Sequence, residues 1–160
     1  MINTKDILLY MSLDGGELAV EADDIALVDT LYNQVLLALF GGNVEAVTLG
    51  NEPAGTIRED WWGNNLLFPN DPGSQFNSLT EKALLDNVSN STGRINITRA
   101  VEADLQYLKT IANISTNVVI LSTNQVRIEV TLNQPDNQQN KLFVFIWDNA
   151  KNEMISSQII

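Results

Sequence analysis

Val126-Arg127-Ile128-Glu129-Val130-Thr131-Leu132 alternates apolar and polar residues without a break. Period-two alternation of β-branched residues is the pattern of a strand with one dry face and one wet face. Upstream, Val118-Val119-Ile120-Leu121 reads as a buried strand, and downstream Leu142 to Trp147 is apolar at six successive positions. A polar stretch from Asn133 to Asn140, with Pro135, separates the last two. Together they predict an antiparallel three-stranded meander whose apolar face needs helices to cover it. Met154 to Ile160 follows as a short edge strand or a tail.

Those covering helices are visible further upstream. Val28, Leu31, Val35 and Leu39 recur at helical spacing, with Tyr32 and Leu36 beside them and Gly41-Gly42 as a stop. Asp23 and Asp24 are expected to cap this helix, and its apolar second half predicts a central, buried element. Ser78-Leu79-Thr80-Glu81 matches a capping box opening a second helix, with Leu84, Leu85 and Val88 on its apolar side. A third is expected over about residues 97–112, capped by Asn96 or Thr98, with Val101, Leu105, Leu108 and Ile111 as its stripe. At the start, Ile7 to Met11 and Glu17 to Val20 read as short strands around an Asp14-Gly15-Gly16 turn.

Between the first two helices, residues 43–75 lose periodicity and hold three of the four prolines and the pair Trp61-Trp62. A stretch this long is more than a connector, and two adjacent tryptophans argue for order. The fold class is therefore α+β: short N-terminal strands, a central buried helix, an ordered Trp-rich loop, two further helices and the C-terminal meander. At 160 residues the chain is expected to form one domain.

Composition narrows function. Histidine and cysteine are both absent, which removes the common nucleophile–base triads, imidazole and thiolate zinc sites, and disulfides. Twenty acidic residues against nine basic ones give a net charge of −11, with no two basic residues adjacent. That balance speaks against nucleic acid or an anionic membrane as the principal partner. The longest apolar runs have six residues, far short of the roughly 20 of a membrane span. The N-terminal residues show no signal-peptide pattern, so the Asn-x-Ser/Thr sequons at Asn87, Asn90, Asn96 and Asn113 read as coincidences of an Asn-rich chain.

Carboxylate chemistry is the remaining catalytic route. Glu52, Glu59 and Asp60 share the Trp-containing loop, where a glycosidase-type pair would sit beside a sugar-stacking ring. Solvated loop acids explain them more simply. The cluster of Asp14, Glu17, Glu21, Asp23 and Asp24 lacks EF-hand spacing, and a turn and a cap account for it without Ca²⁺. No cofactor or metal is expected.

Two places point to partners. Adjacent tryptophans on an extended segment face opposite ways: either one of Trp61 and Trp62 enters the core while the other anchors a partner, or both pack over this domain's own core. In the 142–147 run, Leu142, Val144 and Ile146 share one face, and Phe143, Phe145 and Trp147 share the other. Either another protein layer covers the aromatic face, making those three partner-binding residues, or the strand is central and buried on both sides. Val126 to Leu132 and the segment after Asp148 are the two candidate sheet edges.

The order of these features resembles a known family. A Gly-Gly-x-Leu-x-Val turn and strand lead to a helix ending near Leu39-Phe40. There follow Arg58-Glu59-Asp60-Trp61-Trp62-Gly63-Asn64, then Gly73-Ser74-Gln75-Phe76, paired helices, and a meander ending at Trp147. Over about residues 14–148 the chain resembles the Mu-type phage tail protein family (the gene product forty-six family), a baseplate wedge component similar to the sheath initiators of contractile tails. Asn64 stands where that family usually has Asp, and Gln75, Phe76 and Asn77 where it has Arg and then Leu-Trp. The resemblance implies a non-enzymatic structural subunit of a contractile phage tail or phage-tail-like particle. Its partners would be wedge and hub proteins and first-ring sheath subunits, with Arg58 among the contact residues. It would be assembled in the bacterial cytoplasm and reside in the virion baseplate. A carbohydrate- or ligand-binding module using Trp61 and Trp62 is the alternative.

Overall fold

The computed structural model describes residues 5–12, 15–28, 31–42, 66, 68–71, 77–134 and 140–160. Six short strands come first: β1 (Asp6–Ile7), β2 (Leu9–Ser12), β3 (Gly15–Leu18), β4 (Val20–Glu21), β5 (Asp24–Ile25) and β6 (Leu27–Val28). Helices α1 (Tyr32–Phe40), α2 (Leu79–Asp86) and α3 (Ser91–Asp104) follow, with a 3-10 turn over Gln106–Thr110. The chain closes with β7 (Asn113–Ile120), β8 (Gln125–Asn133), β9 (Lys141–Asp148) and β10 (Glu153–Ile159). This is the α+β class read from the sequence.

The last four strands form one antiparallel sheet in the order β10-β9-β8-β7. The expected three strands are thus four, because the C-terminal segment pairs fully: Ile159 opposes Phe143, and Leu142 and Ile160 exchange backbone bonds at 3.0 and 2.8 Å. The register shifts between Met154 and Ser156, where β10 bulges. Val126 to Leu132, expected as a possible edge, lies in the sheet interior, flanked by β7 and β9.

One face of the sheet is the core. Val118, Val126, Ile128, Val130, Leu132, Phe143, Phe145 and Trp147 all point into it and are buried. Tyr32, Val35, Leu36, Leu39 and Phe40 of α1 meet them, joined by Leu84 of α2, Ile97 and Val101 of α3, and then Leu105 and Leu108. The aromatic side chains interlock: Phe40 stacks on Trp147 at 6.1 Å between centroids and tilts against Phe145 at 5.3 Å, while Tyr32 meets Phe143 edge-on at 5.7 Å. Rings bury more apolar area than the aliphatic residues on the other side of β9, so the aromatic face is the one that gains most from burial.

Three helix boundaries differ from the sequence reading. Asp23 and Asp24 do not cap α1: Asp24 pairs with Glu21 across the β4–β5 ladder, and Asp23 occupies the turn between them with φ 66°. The helix begins at Tyr32, behind Leu31, which makes no side-chain cap bond. Second, α3 starts at Ser91, not near Ile97, because Asn90 caps it by accepting the Gly93 N–H at 2.9 Å. Third, the helix tightens into the 3-10 turn after Asp104, which leaves Ile111 exposed while Ala112 is buried. On α2 only Leu84 of the expected apolar side is buried; Leu85 and Val88 are exposed. Gly15 and Gly16 likewise belong to β3, opposite Ser12 and Met11.

Ser78 caps α2 as its sequence predicts, accepting the Glu81 N–H at 2.9 Å. Its hydroxyl also donates to the carbonyl of Leu39, which satisfies one of the free carbonyls at the end of α1.

The six N-terminal strands make a small lobe. β1 pairs β6, β2 pairs β3, and β4 pairs β5, giving three antiparallel ladders. They meet in a closed ring of backbone bonds: Leu8 N–H to Ala26 at 2.8 Å, Ala26 N–H to Ala19 at 2.8 Å, and Ala19 N–H to Leu8 at 2.9 Å. Asn33 ties this junction to α1. Its Nδ2 donates to the carbonyl of Ile7 and its Oδ1 accepts the Leu9 N–H at 3.1 Å. Buried Asn33 thereby satisfies backbone groups on both sides of Leu8 that the ring does not use.

Candidate assembly interface

The residues singled out for partner binding divide sharply. Phe143, Phe145 and Trp147 are 0%, 0% and 3% exposed and form the aromatic core, so they are not contact residues. Neither alternative expected for that face holds: the domain's own helices cover it, and Leu142, Val144 and Ile146 on the opposite face of β9 are only half-buried. Arg58, Trp61 and Trp62, like Glu52, Glu59 and Asp60, lie outside the described residues.

The sheet edges carry the interface features. β10 and β7 are the outer strands, and among the described residues nothing pairs with their outer sides. Ladder alternation gives the direction of each backbone group. Ile160 exchanges bonds with Leu142, so the N–H groups of Ile159 and Ser157 face outward from β10. Leu121 N–H bonds Gln125, so those of Thr116, Val118 and Ile120 face outward from β7.

Charge distinguishes these strands from the interior ones. β8 carries Arg127 and Glu129, which form an ion pair at 3.1 Å, and β9 carries Lys141 and Asp148. By contrast, β7 holds no charged residue and no proline, and β10 holds no proline and one charged residue, Glu153 at its first position, paired with Lys151 at 3.3 Å. Edge strands of monomeric proteins are normally protected by such residues, above all lysine. Ile155, Ile159 and Ile160 are moreover exposed on β10 and just beyond it. The sequence signal was therefore present, as two charge-free stretches, 113–120 and 154–160, in a chain of −11 net charge, although the β7 edge was not recognised.

The second face of the sheet is polar and apolar in rows. Leu142, Val144 and Ile146 are half-buried, beside the Arg127–Glu129 pair and Asn117, whose Nδ2 donates to Glu129 at 2.8 Å. At one end Asn113, Ile114, Ser115, Thr131, Asn133 and Asn140 line a hollow of about 180 Å³. It contains no charged side chain.

Several buried polar groups hold the fold together. Asp104 accepts the N–H groups of Leu79 at 3.1 Å and Thr80 at 2.7 Å at the start of α2. Burial pushes its carboxyl up from the ordinary value, and these bonds with Thr80 and Leu79 pull it back. Three sequon asparagines are structural as well. Asn90 is a cap, and Asn96 donates to Asn87, which itself donates to Ala83. Among the described residues no three His, Cys, Asp or Glu side chains gather closely enough to hold a metal ion. Nor is any described helix long and apolar enough to cross a membrane.

These features define a helix-covered four-stranded antiparallel sheet with two open edges and a separate β-lobe. The chain matches no family model, no curated protein and no solved structure.

Proposed function

We propose that this chain is a structural subunit of the baseplate of a contractile phage tail or phage-tail-like particle, a wedge component that joins hub and wedge proteins and helps start the sheath. The observation that carries the reading is the pair of proline-free edge strands on one sheet, β7 without any charged residue and β10 with a single one, Glu153, at its first position. Each accepts a strand from a neighbour by backbone pairing. A single added hydrogen bond contributes only about 0.5–1.5 kcal/mol net, so a lasting joint needs a whole strand of them. Seven or eight residues per edge supply that length.

The role is structural, not catalytic, in keeping with a chain that has neither histidine nor cysteine. The order of elements along residues 14–148, from the Gly-Gly strand through Trp61-Trp62-Gly63 to Trp147, supports the family likeness. Several copies work in each particle, assembled in the bacterial cytoplasm and retained in the virion baseplate, with first-ring sheath subunits among the partners.

Proline substitution at an outward N–H tests it. Ile159→Pro on β10 or Thr116→Pro on β7 removes one edge donor without breaking a bond inside the sheet. At least one of them is expected to abolish full-length sheaths while the purified domain keeps its melting temperature. Normal sheath yield with both variants would refute edge pairing as the joint.

A further inference from the structure

The two edges of the sheet differ in how they are guarded. Along β10 the register shifts between Met154 and Ser156, and Glu153 at its start pairs with Lys151 at 3.3 Å. A bulge and a charge are two of the devices that keep an edge strand from pairing further. β7 has neither. Its eight residues run in unbroken register against β8, from Asn113 opposite Asn133 to Ile120 opposite Val126, with no charge and no proline. Backbone alternation turns the N–H and C=O groups of Ile114, Thr116, Val118 and Ile120 outward, and among the described residues nothing pairs with them.

The side chains of β7 define the kind of strand that fits beside it. Toward the helices Val118 is buried, whereas Ile114, Thr116 and Ile120 are only half-buried, because the sheet stops there. On the other face Asn113, Ser115 and Asn117 are exposed and neutral. Arg127 and Glu129, the charges that β8 places on this face, pair with each other at 3.1 Å. At one end of the face Asn113 opposes Asn133 and Ser115 opposes Thr131, and with Asn140 they line the hollow of about 180 Å³. Among the described residues, none of these five side chains makes a hydrogen bond to another group. Neutral groups that both donate and accept thus converge on one concavity with their bonding capacity unused by the fold.

We infer that β7 is the principal joint of the sheet and takes an uncharged strand of another protein, aliphatic where it faces the helices and carrying Asn, Gln, Ser or Thr where it passes the hollow. The inference rests on the edge-pairing reading and adds the identity of the edge and the chemistry of the strand. Residues directly opposite each other on paired strands share a face. Aliphatic side chains opposite Thr116, Val118 and Ile120 therefore complete the cover that β7 lacks on its outer side. At the alternate positions an amide or hydroxyl beside Asn113 and Ser115 both donates and accepts, as the hollow does. An ammonium only donates and a carboxylate only accepts, so each would use half of what is offered. With a net charge of −11 on each chain, a second copy is repelled, which leaves the place to a strand of a different protein.

The test uses the whole chain with three end-capped peptides, Gln-Val-Asn-Val-Gln-Val-Asn, Lys-Val-Lys-Val-Lys-Val-Lys and Glu-Val-Glu-Val-Glu-Val-Glu, read by amide NMR shifts and hydrogen exchange. The neutral peptide is expected to slow exchange at the Thr116 and Val118 amides at least about ten-fold at saturation, with Ser157 and Ile159 little changed. At about 0.3 M salt, where long-range charge effects are screened, the two charged peptides are expected to bind at least about five-fold more weakly. Thr116→Pro is expected to remove the protection at an unchanged melting temperature, and Ile159→Pro to leave it in place. Asn113→Ala with Ser115→Ala is expected to cancel the preference for the neutral peptide. Protection at Ser157 and Ile159 instead, equal binding of a charged peptide, a preference that survives the Asn113/Ser115 change, or no binding at all would each overturn the inference. So would a dimer of this chain that Thr116→Pro dissolves, since the occupant would then be a second copy. Edge pairing itself is judged separately, by sheath yield: loss with Ile159→Pro alone would sink the choice of β7 and leave the edge reading standing.

Discussion

Glu81, in the first turn of α2, accepts the backbone N–H of Gly42, just beyond the end of α1, at 3.1 Å. In a simple capping box that carboxylate would turn back to its own N-cap residue. Here Ser78 gives its N–H to the Gly42 carbonyl at 2.7 Å instead, and Glu81 takes the Gly42 N–H, so two helix ends close on each other. Gly42 reaches this position with φ 86°, a conformation that costs other residues about 1–2 kcal/mol. Gly42→Ala is expected to destabilise the fold by about that amount, read as a lower urea midpoint with an unchanged slope of unfolding free energy against urea.

The aromatic core sets the second expectation. Phe145 touches Tyr32 and Phe40 at centroid distances of 6.1 and 5.3 Å and is fully buried. Phe145→Ala is expected to cost about 3–5 kcal/mol, read from equilibrium denaturation. Ile146→Ala, on the half-buried opposite face of β9, is expected to cost well under half as much. Equal losses at the two positions would mean that the second face is as tightly covered as the first.

Gly93 sets two effects against each other. Alanine in a helix is favoured over glycine by roughly 1 kcal/mol. A Cβ at Gly93, however, would run into the backbone carbonyl oxygen of Val88, which cannot swing away as a side chain tip does. The collision wins, so Gly93→Ala is expected to destabilise by about 1–3 kcal/mol in spite of its propensity. A rise in melting temperature would contradict this.

Two of the three tyrosines are expected to ionise late. Burial raises Tyr32 above its ordinary value of 10.0, with the Ser157 bond pulling slightly back. Tyr107, which donates to the Gln34 carbonyl at 3.0 Å, is pushed up to about 12 by burial and then by the nearby Asp104 carboxylate. Its ring is 47% exposed, so solvent screens part of the consequence for stability. The folded protein holds these protons more tightly than the unfolded chain, so their contribution is intact below pH 10 and is lost as pH rises toward 12. Tyrosinate absorbance should show the late step in the wild type and lose part of it in Tyr107→Phe.

Much of this architecture is legible from residue spacing alone. The alternation at 126–132 gave a strand, the Ser78–Glu81 spacing a cap, and Gly41-Gly42 a stop, each set by a local rule that the tertiary structure respects. What spacing did not give was set by distant partners. Asp23-Asp24 has the composition of a helix cap, yet the Ala19–Ala26 and Leu8–Ala26 bonds bind that segment into the lobe and move the helix start to Tyr32. The aromatic run of β9 read equally well as core or contact surface, because period two says which residues share a face but not which face the helices cover. The edges were within reach: strand order was hidden, but the absence of charge from 113–120 and 154–160 was not.

The central claim, that this domain is built into a contractile-tail baseplate through its sheet edges, is tested most directly by a cryo-electron microscopy reconstruction of particles from cells that make it. The account predicts baseplate density fitted by the helix-covered sheet, with a strand of a neighbouring subunit hydrogen-bonded along β10 or β7 and outward N–H groups such as Ile159 or Thr116 engaged. Particles whose baseplates lack this chain, or contain it with both edges facing solvent, would contradict it.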